Sequence, residues 1–246
     1  MKIFLLVSLC LGLVVLPQRK KKVWMIGDST MSIKDVKAYP ETGWGMPFAH
    51  FFDSTIEVDN RAKNGRSTKS FREEGLWTPV LNGLQEGDYV FIQFGHNDEN
   101  RQKAERYSTP EEFRANLGRY VSEAKERKAI PILLTPVSRR SFDSTGKLRE
   151  THPVYADIVK DVARTEGVLL IDLNEKTKAL LQQMGPDGSK LLFNHLLPGE
   201  HPNYPDGKKD DTHFNELGAR LVAELVWQQL LQSDLELKNH PAPKAK

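Results

Sequence analysis

The amino-acid sequence predicts a three-layer α/β/α domain around a doubly wound, five-stranded parallel sheet. Five short apolar runs, residues 23–26, 56–58, 89–94, 130–134 and 168–171, recur along the chain. Their apolarity is nearly continuous, which suits strands covered on both faces rather than half-solvated strands that alternate. Helical patterns separate the runs, and strands alternating with helices build parallel sheets through crossover connections.

The first run stops abruptly at Gly27-Asp28-Ser29-Thr30, small polar residues suited to a turn. A few residues past the second come Asn64-Gly65-Arg66-Ser67, and the third leads directly into Gly95-His96-Asn97-Asp98. Thr109-Pro110-Glu111-Glu112 is a capping box with proline at the first helical position, and Phe113, Leu117, Val121 and Ala124 follow at helical spacing. Asn215 can cap a last helix in which Leu217, Leu221 and Leu225 join Val222, Val226 and Leu230 in one apolar face. Residues 138–151 and 185–209 look irregular, and loops of such length are often functional. Residues 238–246 read as a disordered tail.

A chain of 246 residues suffices for one large domain with a substantial core. With 39% hydrophobic and 28% charged residues and a net charge of +2, nothing demands a nucleic-acid partner. Residues 1–18 stand apart: Lys2, an apolar stretch over 3–16, then Pro17-Gln18. That is the order of a secretory signal peptide, and it is short for a membrane span. Export is therefore expected, to the periplasm or beyond, with one folded domain over 19–237 and no stable membrane insertion after processing. The basic run at 19–22 and the lack of an A-x-A site favour the other reading, an uncleaved N-terminal tether. Cys10 is the only cysteine. Leu9 stands where lipidation needs a small residue, and without Cys10 stability must come from the core rather than disulfides.

Ligands of doubly wound sheets bind outside the carboxyl ends of the strands. Three of the polar blocks fall there, and Asp210-Asp211-Thr212-His213, just before the last helix, can reach the same rim. Together they hold the parts for acyl transfer. A serine hydroxyl is a weak nucleophile and needs a base such as imidazole, which in turn needs a carboxylate to fix its tautomer. Ser29 can attack, while Asp210 and His213, expected on one turn, can supply orienter and base. Asp211 is the alternative orienter by adjacency. The backbone N–H groups of Ser29 and Gly65 and the side-chain amide of Asn97 are candidate oxyanion donors. Each block alone reads more readily as a turn, a cap or a surface histidine; the agreement of all four carries the inference.

With these blocks the chain resembles the SGNH (GDSL-like) hydrolases, through Ser29 in GDST, Gly65, Asn97 in GHND and His213 in DDTH. A narrower resemblance is to the rhamnogalacturonan acetylesterases. It is carried by MIGDSTM, GWGMPFAHFF, NRAKNGRSTKSF, FIQFGHND, LLTPVSRRSF, PGEHPNYPDG and DDTHFNELGA, spread over residues 23–225. The resemblance implies a flavodoxin-like fold and metal- and cofactor-independent deacetylation of acetylated pectic oligo- or polysaccharide. It assigns Ser29 as nucleophile, His213 as base, Asp210 as orienter, and Ser29, Gly65 and Asn97 as the oxyanion hole. Pectic backbones carry carboxylates, so Arg66, Lys69, Arg139 and Arg140 near the strand ends are candidate contacts. His195, His201, Asn203 and Tyr204 are candidates for a sugar subsite. The alternatives are an esterase acting on xylan or another glycan, a lysophospholipase or thioesterase, and a carbohydrate-binding protein without catalysis.

Overall fold

A computed structural model describes residues 19–243; the expected signal segment, 1–18, lies outside the described residues. The strands are β1 (Lys21–Gly27), β2 (Ile56–Asn60), β3 (Tyr89–Gln93), β4 (Ile130–Leu134), β5 (Leu169–Ile171), β6 (Phe193–Leu196) and β7 (Lys208–Phe214). The helices are α1 (Gly45–Phe48), α2 (Thr68–Glu73), α3 (Trp77–Gly83), α4 (Pro110–Glu126), α5 (Tyr155–Glu166), α6 (Leu173–Gly188) and α7 (Glu216–Leu231). β1 to β5 form the expected parallel sheet in the order β2-β1-β3-β4-β5. The chain winds outward first on one side of β1 and then on the other, so β1 and β3 flank the point where strand order reverses. Crevices for ligands open at that point.

Successive residues of these strands face opposite layers, and both layers are dry. Met25, Phe91, Leu134 and Ile171 pack toward α1, α6 and α7, while Trp24, Ile26, Val90, Ile92 and Leu133 pack toward α2, α3, α4 and α5. Burial on both sides explains the unbroken apolar runs. The Thr109 capping box forms as expected, as does the Asn215 cap, whose side chain accepts from the Gly218 N–H. On α7 the buried stripe is Ala219, Val222, Ala223, Val226 and Leu230, whereas Leu217 is half exposed. No helix among the described residues is long and apolar enough to cross a membrane.

Two expectations need correction. Within 185–209, α6 runs on to Gly188 through a break at Gly185, and β6 pairs antiparallel with β7 to make a second, two-stranded sheet. Asp210 and His213 therefore sit on a strand rather than a free turn. The 238–246 segment is also not a loose tail where it is described: Pro241 bridges Phe52, and the Ala242 N–H donates to the Phe51 carbonyl at 2.8 Å. Main-chain pairing orders it, and such pairing leaves no hydrophobic periodicity to read.

Between β1 and α1 the chain forms a strap across the carboxyl ends of the strands. Trp44 N–H donates to the Thr30 carbonyl at 2.9 Å, Gly45 N–H to Met31 at 3.2 Å, and Thr42 N–H to Phe214 of β7 at 2.8 Å. Gly43 is required here, because a Cβ would collide with the Ser32 backbone carbonyl. Gly43→Ala is expected to cost about 1–3 kcal/mol, as overpacking does, measured by urea unfolding. It should also lower turnover, because the strap holds both β1 and β7.

Candidate active site

The turn after β1 is fixed from beneath. Asp28 is fully buried, and its Oδ1 accepts from the Thr30 N–H at 2.9 Å and the Thr30 hydroxyl at 2.8 Å. Burial pushes the Asp28 carboxyl above the usual carboxylate range, against those hydrogen bonds. The Thr30 hydroxyl accepts from Gln93 Nε2 at 2.7 Å, and Gln93 Oε1 accepts from the Trp44 indole at 2.5 Å. Between residues 23 and 32 only Ser29 is not buried. A strand end, a buried carboxylate and an indole thus present a single hydroxyl to the rim.

That hydroxyl lies 2.9 Å from His213 Nε2, and His213 Nδ1 lies 2.9 Å from Asp210 Oδ2. The other oxygen of Asp210 accepts from the N–H groups of Thr212 and His213 at 2.8 and 2.9 Å. Partial burial raises the Asp210 carboxyl, but the His213 imidazole and these two amides outweigh it and hold the group well below its usual range. The local fold makes this possible. Phe193 pairs with Phe214 and His195 with Lys209, so residues 210–213 of β7 face Asn194 alone on β6. A bulge re-aims side chains, and this one turns His213 toward Ser29 while Phe193 and Phe214 anchor the hairpin in the core.

The second and third blocks are stitched to the first. Lys63 N–H donates to the Gly27 carbonyl at 3.0 Å, and Asn64 Oδ1 accepts from Ser32 Oγ at 2.6 Å and Lys34 Nζ at 2.8 Å. Gly65 follows with φ of +75°, a left-handed conformation that favours glycine. Asn97 Nδ2 donates to the Arg66 carbonyl at 3.0 Å. Beside it, Asp98 accepts from the Thr68 N–H at 2.9 Å and Ser108 Oγ at 3.1 Å, and burial pushes its carboxyl up to about 7. Among the described residues, the N–H groups of Ser29 and Gly65 make no intramolecular hydrogen bond. They remain donors for a developing charge.

The remaining candidates divide. Arg66 is clamped by Glu74 at 2.9 and 2.7 Å and by the Asn64 carbonyl. Arg140 pairs with Asp211 at 2.6 Å, and Asp211 also meets His195 Nε2 at 2.8 Å. Asp211 is therefore engaged elsewhere, and of the two carboxylates it is Asp210 that meets the His213 imidazole. His201 packs its ring on Tyr39 with centroids 5.5 Å apart. Arg139 reaches Thr212 Oγ1 at 3.0 Å and Glu99 at 3.5 Å, and its side chain remains 34% exposed. Asn203 and Tyr204 bond the backbone of residues 36–39, fastening their loop to the strap.

Sequence reasoning missed two groups. His96 and His152 are buried ring against ring at 4.3 Å, with Glu99 on His152. Glu41 lies with Asp210 and His213 in a cluster whose ligating atoms fall within 4.8 Å of one another. That donor set is poorly suited to a cation: both His213 nitrogens are engaged, and the Lys34 ammonium already sits on Glu41 at 2.8 Å.

Fold and site together define an α/β hydrolase-like enzyme that cleaves carboxylic esters. The chain belongs to the GDSL-like lipase/acylhydrolase family, whose model matches residues 25–221. It is 42% identical over 219 residues to the rhamnogalacturonan acetylesterase RhgT of Bacillus subtilis, spanning 89% of this chain and 93% of that one. To the probable rhamnogalacturonan acetylesterase YesY of the same organism it is 34% identical over 220 residues, 87% of this chain and 94% of the other. The solved structure of Bacillus subtilis YxiM superposes with a TM-score of 0.76 at 27% identity. That match covers 90% of this chain but 59% of YxiM, so the chain spans less than two thirds of that protein.

Proposed function

We propose that the protein is a carbohydrate acetylesterase that removes acetyl groups from pectic polysaccharide of the rhamnogalacturonan type, with Ser29 as nucleophile. The observation that carries the reading is the continuous line from Ser29 Oγ through His213 to Asp210, with both contacts at 2.9 Å. His213 Nε2 takes the Ser29 proton as Oγ attacks the acetyl carbonyl. The oxyanion is met by the N–H groups of Ser29 and Gly65 and by the Asn97 amide. Collapse breaks the ester bond, and the imidazolium returns its proton to the departing sugar oxygen. Water then gives a proton to His213 and attacks the acetyl-enzyme; collapse breaks the bond to Ser29 Oγ, which takes that proton back from the imidazolium as acetate leaves.

The pectic substrate is favoured by the names of the two relatives and by Arg139, a partly exposed cation at the edge of the site. Export by residues 1–18 suits a polymeric substrate. The test is acetate release from acetylated rhamnogalacturonan, homogalacturonan and xylan. Rhamnogalacturonan should be turned over fastest; a preference for xylan would replace the substrate assignment while leaving the chemistry. Arg139→Glu should raise KM for the acidic polymer about tenfold, with KM for a neutral aryl acetate changed far less. Equal KM effects on both substrates would remove Arg139 from recognition.

A further inference from the structure

Lys34 is a lysine whose side chain is 2% exposed, and it sits on the strap rather than on a solvated face. Its Nζ lies 2.8 Å from Glu41 and donates to Asn64 Oδ1 at 2.8 Å. The same Asn64 oxygen accepts from Ser32 Oγ, which also approaches the Ser29 carbonyl at 3.3 Å. One ammonium therefore ties the strap to the residue immediately before Gly65 and to the turn that carries Ser29. Glu41, its partner, is a second carboxylate within 4.8 Å of Asp210 and His213. Burial lowers the Lys34 ammonium from its usual range, and Glu41 opposes that most strongly.

We propose that Lys34 and Glu41 are a positioning pair for ester cleavage: the ammonium fixes the loop at Asn64 and Gly65, and the paired carboxylate sets the charge felt by the His213 imidazole. The proposal rests on the reading of Ser29, His213 and Asp210 as the reacting set. The other charged or titratable groups around His213 are Asp28 beneath the nucleophile, His96 after β3, Arg139 through Thr212, and Lys208 at 3.9 Å from Asp210. None of these forms a hydrogen bond or ion pair with Lys34 or Glu41, although Asp28 acts on Lys34 through space, so the double variant separates the charge at the pair from displacement of the loop. A carboxylate left without its ammonium favours the protonated imidazole, and an ammonium left without its carboxylate disfavours it.

The test measures kcat, KM and the pH profile of kcat/KM with p-nitrophenyl acetate for Lys34→Met, Glu41→Gln and the double variant. Lys34→Met should lose about 10- to 100-fold in kcat with KM within about twofold, because the oxyanion loop is misplaced. Its acid limb should move to higher pH by roughly one unit, and that of Glu41→Gln to lower pH. In the double variant the limb should return to the wild-type position while the kcat loss persists. An acid limb at one pH in all variants overturns the proposal, as does wild-type kcat in Lys34→Met. Should Lys34→Met fail to fold, Glu41→Gln, which keeps the shape of the side chain, decides by its limb alone. Ser29→Ala measured alongside separates the two readings. If that variant is inactive and the limbs are fixed, only the pair is refuted; if it is active, the reacting set itself is wrong.

Discussion

Ser29→Ala is expected to lower acetate release by about 10⁴- to 10⁶-fold, the scale on which serine hydrolases lose rate when the nucleophile is removed. The fold should not notice. Ser29 Oγ contributes one partly exposed hydrogen bond, to His213, while Asp28, Thr30, Gln93 and Trp44 hold the turn without it. Loss of one such bond costs about 0.5–1.5 kcal/mol, so Tm should move by a few degrees at most. Single-turnover assays together with thermal melts make the comparison. Unchanged acetate release would sink the nucleophile assignment whatever the stability.

Asp210→Asn has the second-largest expected effect, a loss of about 10³- to 10⁴-fold in kcat. Asp210 accepts from both the imidazole and the amides of Thr212 and His213. An amide offers one acceptor oxygen in place of two. If it keeps the backbone contacts, its NH₂ faces Nδ1, which favours the tautomer protonated at Nε2 and leaves no lone pair for the Ser29 proton. The acid stability profile should change too. A carboxyl depressed in the folded state stabilises above its unfolded value, and that contribution is lost as pH falls through the folded one. The wild type should therefore lose part of its stability below about pH 4, and the asparagine variant should lose less across that window. Melting from pH 6 down to pH 2 measures the difference.

The parallel sheet was legible because burial on both faces leaves strands with no polar alternation, and residues 130–134 matched β4 end to end. The first three blocks were legible because strand ends in such sheets gather at one rim. The hairpin was not. Lys208-Lys209-Asp210-Asp211-Thr212-His213 is polar throughout, and its strand form comes from pairing with β6, which only the tertiary structure supplies. Arg139 and Arg140 are equivalent in sequence and divide because Asp211, Ser189 and the Pro186 carbonyl engage Arg140, whereas Arg139 reaches Thr212 and Glu99. Nothing local in the sequence singles out Lys34 and Glu41, because their burial comes from the strap that folds over them.

The strap and the loop that Asn203 and Tyr204 fasten to it form a wall on one side of the site, and the wall is built differently from the floor. Val36 is 85% exposed and Leu197 73%, whereas β3 beneath the site is wholly buried. Substitutions on exposed loops cost little stability, while those in the floor cost much. The protein can therefore accumulate changes at exposed positions of the wall, such as Val36 and Leu197, that alter which glycan it admits, while buried wall residues such as Gly43 and Lys34 stay tied to folding and turnover. Substrate range can drift between relatives while the reaction is inherited.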